Sequence, residues 1–452
     1  MKIKFIPFFI VLIFFIACEQ QETVNDQALI DGHPAWMQQS NIYEVNTRQY
    51  TPEGTFNAFT KHLDRLKEMG VEVLWFMPIN PISKVDRKGT LGSYYAVSDY
   101  TSINPEYGNL NDWKALVNIA HEKGFKVLID WVPNHTGADH TWLTTHPDFY
   151  VRDSTTGKAV SQFDWTDTRK LNYKNPAVTD SMIAAMRYWI KETNIDGYRC
   201  DQAHLVDSSF WYKAIPQLKK EKNIVMIAES EDAWVHRAGF DISYPWKAFH
   251  IMVDIAAGKK NALALDTVQQ LIDSTFTTNA GLLYFTSNHD ENSWNKADYG
   301  TMPGDMHKPF AVLTQTLPRA VPMIYSGQEE PILRAIPFFE KDTIPFAKYE
   351  RANFYKQLLA LRKTHPALAA QVRMEKQTTS NDQQVYVFTR TANQQTILVI
   401  TNLSSTNQTI SLPTNLQKLL GEKKYKEILS GAEIPLSIPI KLKPWDAMVF
   451  SY

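Results

Sequence analysis

Three carboxylates each close an apolar run of the chain: Asp201 after Gly197-Tyr-Arg-Cys, Glu229 after Ile224-Val-Met-Ile-Ala, and Asp290 after Leu282-Leu-Tyr-Phe-Thr-Ser-Asn-His. Holding a carboxylate away from water is costly, so three of them aimed at one place imply a chemical use. Acids at the tips of several strands suggest a catalytic mouth.

A scaffold must bring those tips together. From about residue 41 the chain alternates apolar strands with helical patterns, the signature of a parallel sheet with crossover helices. The expected strands are residues 42–46, 71–77, 126–131, 197–201, 224–229, 242–245, 281–286 and 322–325. Helix-spaced apolar positions fall at 56–69, 110–123, 178–192, 208–220, 264–275 and 354–363, with the sixth unit the least clear. Eight strands imply an α/β protein built on a closed (β/α)8 TIM barrel. In such a barrel the active site lies at the C-terminal strand ends, where all three acids fall.

The connection 136–175 is too long for a simple loop, and its Gly, Asp, His and Trp content predicts a small inserted subdomain after the third strand. A short insertion of this kind is expected to leave an open cleft, which favours cutting within chains. After His365-Pro366 the pattern changes to short alternating runs at 384–389, 396–402, 409–412 and 447–452. These predict a C-terminal antiparallel β-sandwich domain over 366–452, following a catalytic barrel over 41–365.

The 452 residues, 44% apolar and 12% aromatic, suffice for at least one large core. With 47 basic and 48 acidic residues there is no electrostatic case for nucleic acid. Lys2 and Lys4 precede the apolar stretch 5–17, too short for an ordinary spanning helix, and residues 1–17 read as a signal peptide. Phe15-Ile-Ala-Cys18 resembles the lipobox of bacterial lipoproteins, which implies lipidation at Cys18 and a tether with the N-terminal segment over 18–40. The alternatives are an uncleaved anchor or a plain secretory signal. The expected location is the cell envelope, as a membrane-anchored lipoprotein of the outer membrane of a Gram-negative bacterium. Only Cys200 then remains, so no disulfide is expected.

Four segments carry the chemistry: Asp130-Trp-Val-Pro-Asn134-His135, Gly197-Tyr-Arg199-Cys-Asp201, Glu229, and Phe285-Thr-Ser-Asn-His289-Asp290. In this order they resemble the four signature regions of the alpha-amylase family of glycoside hydrolases, and the resemblance spans roughly residues 40 to 450. It implies a retaining hydrolase of alpha-glucosidic bonds, chiefly alpha-1,4, in starch-like glucans or malto-oligosaccharides. Asp201 would be the nucleophile, Glu229 the acid/base, and Asp290 the carboxylate that holds sugar hydroxyls as the ring distorts. Arg199 is expected to keep Asp201 ionised, and Glu229 to titrate higher because it must hold a proton to give.

By the same resemblance His135 and His289 contact sugar hydroxyls, and Tyr95 is the ring on which the sugar at the cleavage point stacks. His204 stands near the place of a lysine–histidine pair in many relatives, and is either a leaving-group contact or a surface histidine. Trp294 is a subsite candidate. Trp75, Tyr100, Asp99 and Asp130 are read as packing or bracing residues, and Gln328 and Glu329 as rim-shaping ones.

Lys170-Leu-Asn172 stands where calcium-binding relatives have an aspartate before Leu-Asn. A lysine cannot coordinate calcium, so no cofactor is expected to be required, although Asn134 resembles one ligand of the family's site. The Lys-Leu-Asn form also resembles the neopullulanase and cyclomaltodextrinase branch. A 4-alpha-glucanotransferase or neopullulanase-type enzyme would share every catalytic group. A non-catalytic glucan-binding lipoprotein is disfavoured, because it would be expected to have lost one of the three acids. Neither the exact linkage nor the oligomeric state is fixed by these residues.

Overall fold

The computed structural model describes residues 28–452. The expected signal segment and Cys18 lie outside the described residues. Eight parallel strands appear in chain order: β1 (Ile42–Val45), β2 (Val73–Phe76), β3 (Lys126–Trp131), β4 (Gly197–Cys200), β5 (Val225–Ala228), β6 (Ile242–Ser243), β7 (Gly281–Leu282) and β8 (Met323–Tyr325). They pair in the order β7-β6-β5-β4-β3-β2-β1-β8. A parallel bridge between Leu282 and Ala320, with the Met323 N–H donating to the Tyr284 carbonyl at 2.9 Å or less, closes the barrel.

The main crossover helices are α1 (Leu63–Met69), α2 (Leu110–Glu122), α3 (Pro176–Thr193), α4 (Ser208–Glu221), α5 (Trp246–Ala256), α6 (Ala264–Thr275), α7 (His307–Thr316) and α8 (Ala352–Thr364). Local chemistry sets their ends. Asn109 and Asp112 form a reciprocal capping box at the start of α2, while α3 opens on Asn175 and Pro176 and stops at Asn194 in the left-handed region. Two of these helices, α5 and α7, lay beyond the expected set, and the crossover after β5 is only the single turn Trp234–Arg237. The irregular fifth and sixth units explain why helical spacing was weakest there.

The barrel strands alternate with period two. Leu74, Phe76, Val127 and Ile129 face the helices, against Trp113, Val117, Met182 and Met186. Ile42, Val73, Trp75, Leu128, Val225 and Ile227 fill the barrel interior. One step further along those same inward rows stand Glu44, Asp130, Arg199, Asp201 and Glu229, all buried. The pleat that packs the floor therefore delivers charge to the mouth. Gly197 sits at φ 152°, where an added Cβ would lie 1.9 Å from the Val225 carbonyl oxygen, so only glycine lets β4 start this close to β5.

The insertion after β3 is a small subdomain around a two-stranded ladder, His135–Gly137 paired with Thr168–Lys170. The C-terminal part is a four-stranded antiparallel sheet: β9 (Met374–Lys376), β10 (Val385–Ala392), β11 (Gln395–Asn402) and β12 (Ala447–Ser451), in that order. One of its faces, with Tyr386, Phe388, Val399 and Val449, packs on Phe310 and Leu313 of α7. The other is covered by two short ladders and the helix Thr414–Leu420, so the second layer of the expected sandwich is broken into pieces. Arg390 staples sheet to barrel by donating to the carbonyls of Thr316, Leu317, Ala369 and Val372 at 2.6–3.0 Å.

Candidate active site

Asp201 and Glu229 follow the paired residues Cys200 and Ala228, so they occupy matched positions on neighbouring parallel strands. Such strands lie about 4.8 Å apart. That spacing is close to the carboxyl separation of roughly 5–5.5 Å in retaining glycosidases and well short of the inverting range. Asp290 follows His289 at the start of a short helix beyond β7, and is the most open of the three acids, with its side chain 44% exposed.

One buried guanidinium ties the mouth together. Arg199 Nη1 donates to Asp130 Oδ1 at 2.9 Å and to Asp201 Oδ1 at 3.1 Å, and its Nε donates to the Tyr244 hydroxyl at 3.2 Å. Its Nη2 lies 3.0 Å from Glu229 Oε1, in an ion pair that is off line for a hydrogen bond. Glu229 Oε2 accepts from the Gln202 backbone N–H at 2.7 Å. Gln202, at φ 43°, turns the chain left-handed just after Asp201 and so aims that N–H at the neighbouring strand.

The expectation that Arg199 simply keeps Asp201 ionised needs correction. Burial first, then the facing Glu229 carboxylate, push the Asp201 carboxyl well above the usual aspartate range, against the pull of Arg199. The guanidinium is divided among three carboxylates and cannot neutralise them all. Burial likewise raises Asp130 to about 6, with Arg199 the main opposing influence.

A second chain of contacts reaches Asp290. The Tyr95 hydroxyl donates to Asp130 Oδ2 at 3.0 Å and lies 2.8 Å from His289 Nε2, while His289 Nδ1 is 2.5 Å from Glu44 Oε1. The single Tyr95 proton goes to Asp130, so the Tyr95 oxygen must accept from Nε2–H. Nδ1 faces a carboxylate and must also carry hydrogen. His289 is therefore an imidazolium, and its Nε2 also lies 3.5 Å from Asp290 Oδ2. Burial would lower its pKa, but Asp290 and then Glu44 outweigh burial and push it up to about 9.

His135, by contrast, is held down to about 4 by burial, and its Nε2 has no partner within the protein. It lines a cleft of about 340 Å³ with Tyr95, Asp201, Asp290, Trp165, Trp294 and Phe338. Trp294 is exposed there and packs on Phe338 with ring centroids 5.5 Å apart. His204 lies outside this cleft. Its Nδ1 is 3.3 Å from the Glu229 carbonyl oxygen, and it lines a separate groove with Asn134, Lys170 and Asn172.

Asn134 turns its amide NH2 to His135 at 3.2 Å, and the groove's one carboxylate, Asp207, caps α4 through the Ser209 N–H. Calcium takes six to eight oxygens. Among the described residues no group of three or more His, Cys, Asp or Glu is placed to hold a metal ion.

Other expectations shift by position. Trp75 is core, with Arg199 stacked 5.1 Å from its ring centre, and Asp130 braces the site as an acceptor for Arg199 and Tyr95. Gln328 and Glu329 are not rim residues: Gln328 is buried against Thr286 and Asp298, and Glu329 accepts from Tyr43 and pairs with Arg65. Glu44, Gln202, Trp165 and Phe338 were not anticipated. Of these only Glu44 left a signal, as a lone charge inside the apolar run of β1.

The model of the alpha-amylase catalytic domain matches residues 22–166 and 150–343. The chain belongs to the alpha-amylase family of glycoside hydrolases. The C-terminal part, residues 380–451, matches the cyclo-malto-dextrinase C-terminal domain. Alpha-amylase MalA of Haloarcula japonica is 25% identical over 402 residues, which cover 84% of this chain but only 58% of that relative's length. Among solved structures, an alpha-amylase from Lactobacillus plantarum aligns with a TM-score of 0.83 at 28% identity, over 92% of this chain and 99% of that one. The maltogenic alpha-amylase AmyB from Thermotoga neapolitana aligns with a TM-score of 0.82 at 26% identity, over the same shares.

Proposed function

We propose that this chain is an alpha-amylase-type hydrolase that cleaves alpha-1,4-glucosidic bonds of starch-like glucans or malto-oligosaccharides with retention. The observation that carries this is the matched placement of Asp201 and Glu229 on adjacent strand ends, both bound to Arg199. In the first step Asp201 attacks the anomeric carbon while Glu229 gives its proton to the departing glycosidic oxygen. A water then attacks the covalent intermediate, Glu229 takes that water's proton, and Asp201 leaves. His135, His289 and Asp290 hold sugar hydroxyls, with Tyr95 under the ring.

The reading extends to location. Lys2, Lys4, the apolar stretch and Cys18 support export and lipid anchoring to the cell envelope, with the glucan as the substrate met there. Among the described residues no helix is long and apolar enough to cross a membrane.

The test is to incubate the purified protein with amylose, pullulan and short malto-oligosaccharides and to resolve the products by chromatography. Asp201→Asn should lower kcat by about 10⁴-fold or more. Cleavage by that variant at the wild-type rate would exclude the mechanism.

A further inference from the structure

We propose that the cleft is a dead end on its glycone side, so that the enzyme removes short units from the non-reducing ends of alpha-glucans. This rests on the hydrolase reading and names the substrate end that the same site takes.

The chemistry fixes which side is which. Glu229 must reach the departing oxygen, so the leaving group lies beyond Glu229, toward the groove that His204 and Trp234 line. The sugar that Asp201 attacks lies on the opposite side, over Tyr95, His135 and Asp290. It belongs to the non-reducing part of the chain. Whatever closes the cleft on that side limits how many units can precede the cut.

A loop closes it. Residues 84–91, between β2 and α2, run from the inserted subdomain to the segment 338–340 after β8 and are tied at both ends. On the insertion side, the Lys84 N–H donates to Asp139 Oδ2 at 2.7 Å, Arg169 donates to Asp86 Oδ2 at 2.7 Å, and Lys88 Nζ donates to the Asp164 carbonyl at 3.2 Å. On the other side, the Thr90 N–H donates to Glu340 Oε1 at 2.8 Å and the Leu91 N–H to the Phe339 carbonyl at 3.0 Å. Gly89 is pressed so closely on this segment that an added Cβ would lie 2.5 Å from the Phe339 Cβ.

Lys88, Asp164 and Phe339 are themselves part of the cleft lining, so the tied loop is the cleft's end wall. The cleft's volume of about 340 Å³ lies at the small end of the range for ligand sites. It holds a short stretch of glucosyl units between the aromatic faces of Trp165 and Phe338, and a longer glycone would have to displace five hydrogen bonds across the loop. An open cleft is the expectation from a short insertion; the insertion is short, and on this proposal a loop from the preceding strand bridges it to the opposite wall.

The experiment compares maltoheptaose with the same oligosaccharide carrying an acetal on its non-reducing terminal glucose, using the purified full-length protein. The blocked substrate should be cut at least about tenfold more slowly, and the free one should release a single short product from its non-reducing end. The double variant Asp86→Ala, Lys88→Ala removes two of the ties and should raise the blocked-to-free rate ratio several-fold. Equal rates on the two substrates with wild-type protein would overturn the dead end while leaving the hydrolase reading intact. Failure to cut either would overturn both. If the double variant does not fold, the wild-type comparison decides alone.

Discussion

Replacing Glu44 by Gln tests the proton assignment at the centre of the site. Glu44 lies inside β1, far from Asp290 in sequence, and touches the site only through His289 Nδ1 at 2.5 Å. The glutamine keeps an oxygen that accepts from Nδ1–H, so the ring should keep its orientation while losing a charged neighbour. Wild-type His289 is pushed up to about 9 from an ordinary 6.5, a preference for the charged form on the order of 3 kcal/mol. Asp290 supplies the larger electrostatic part, and Glu44 contributes both charge and the hydrogen bond. Losing the Glu44 charge should remove roughly a third to two thirds of the preference, moving the histidine down by about 1 to 1.5 pH units.

The sign follows from linkage. A histidine whose folded pKa is raised contributes its charge-dependent stability fully below about 6.5 and loses it as pH rises through about 9. In activity, kcat/KM of the free enzyme should fall on its alkaline side as His289 loses its proton and Asp290 loses a cation beside it. In Glu44→Gln that fall should begin about one unit lower, while the acid limb stays in place. Carbon-13 shifts of the His289 ring against pH give the same number directly. A His289 ring whose titration does not move in Glu44→Gln, or one that is neutral in the wild type at pH 7, would refute the proton count.

Two further outcomes are expected. A chelator should leave activity and melting temperature unchanged, because the groove of Asn134 and Lys170 offers no oxygen cage; a fall in melting temperature that added calcium restores would reverse that reading. Arg390→Ala strands four buried carbonyls between barrel and terminal sheet, and should cost about 3 kcal/mol in chemical denaturation. A loss under about 0.5 kcal/mol would show that water replaces the guanidinium there.

What could be read from the residues was whatever repeats with a period or ends one. The eight strands and the three acids were legible because an apolar run ending in Asp or Glu is a local signal. Helix α7 was not, since every residue from Pro309 to Thr316 is buried and its apolar positions show no exposed face to contrast with. Helix α5 has an exposed face, at Lys247 and His250, but the near-continuous apolar run Phe249 to Val253 hides its period in the sequence. Trp165, Phe338 and the loop 84–91 carry no pattern at all. Their role comes from contacts between segments some 75 to 250 residues apart, such as Lys88 with Asp164 and Thr90 with Glu340. Subsite architecture is therefore written in loop-to-loop contacts, while catalytic identity is written at strand ends.

The charge inventory joins these levels. Among the described residues Glu44, Asp130, Asp201, Glu229 and Asp290 are paired with two cations, Arg199 and the His289 imidazolium. With all five acids ionised the mouth would be strongly negative and dry, which burial makes costly. Burial and the facing Glu229 carboxylate answer part of this by raising the Asp201 carboxyl, while the proposed mechanism draws on the proton that Glu229 gives the departing glycosidic oxygen. As it leaves and positive charge builds on the sugar ring, the excess carboxylates are already in place around it. The same imbalance that raises Asp201 in the resting site thus becomes stabilisation in the transition state. Arg199 is shared among three acids because a site that neutralised them fully would have neither the proton to give nor the field to use.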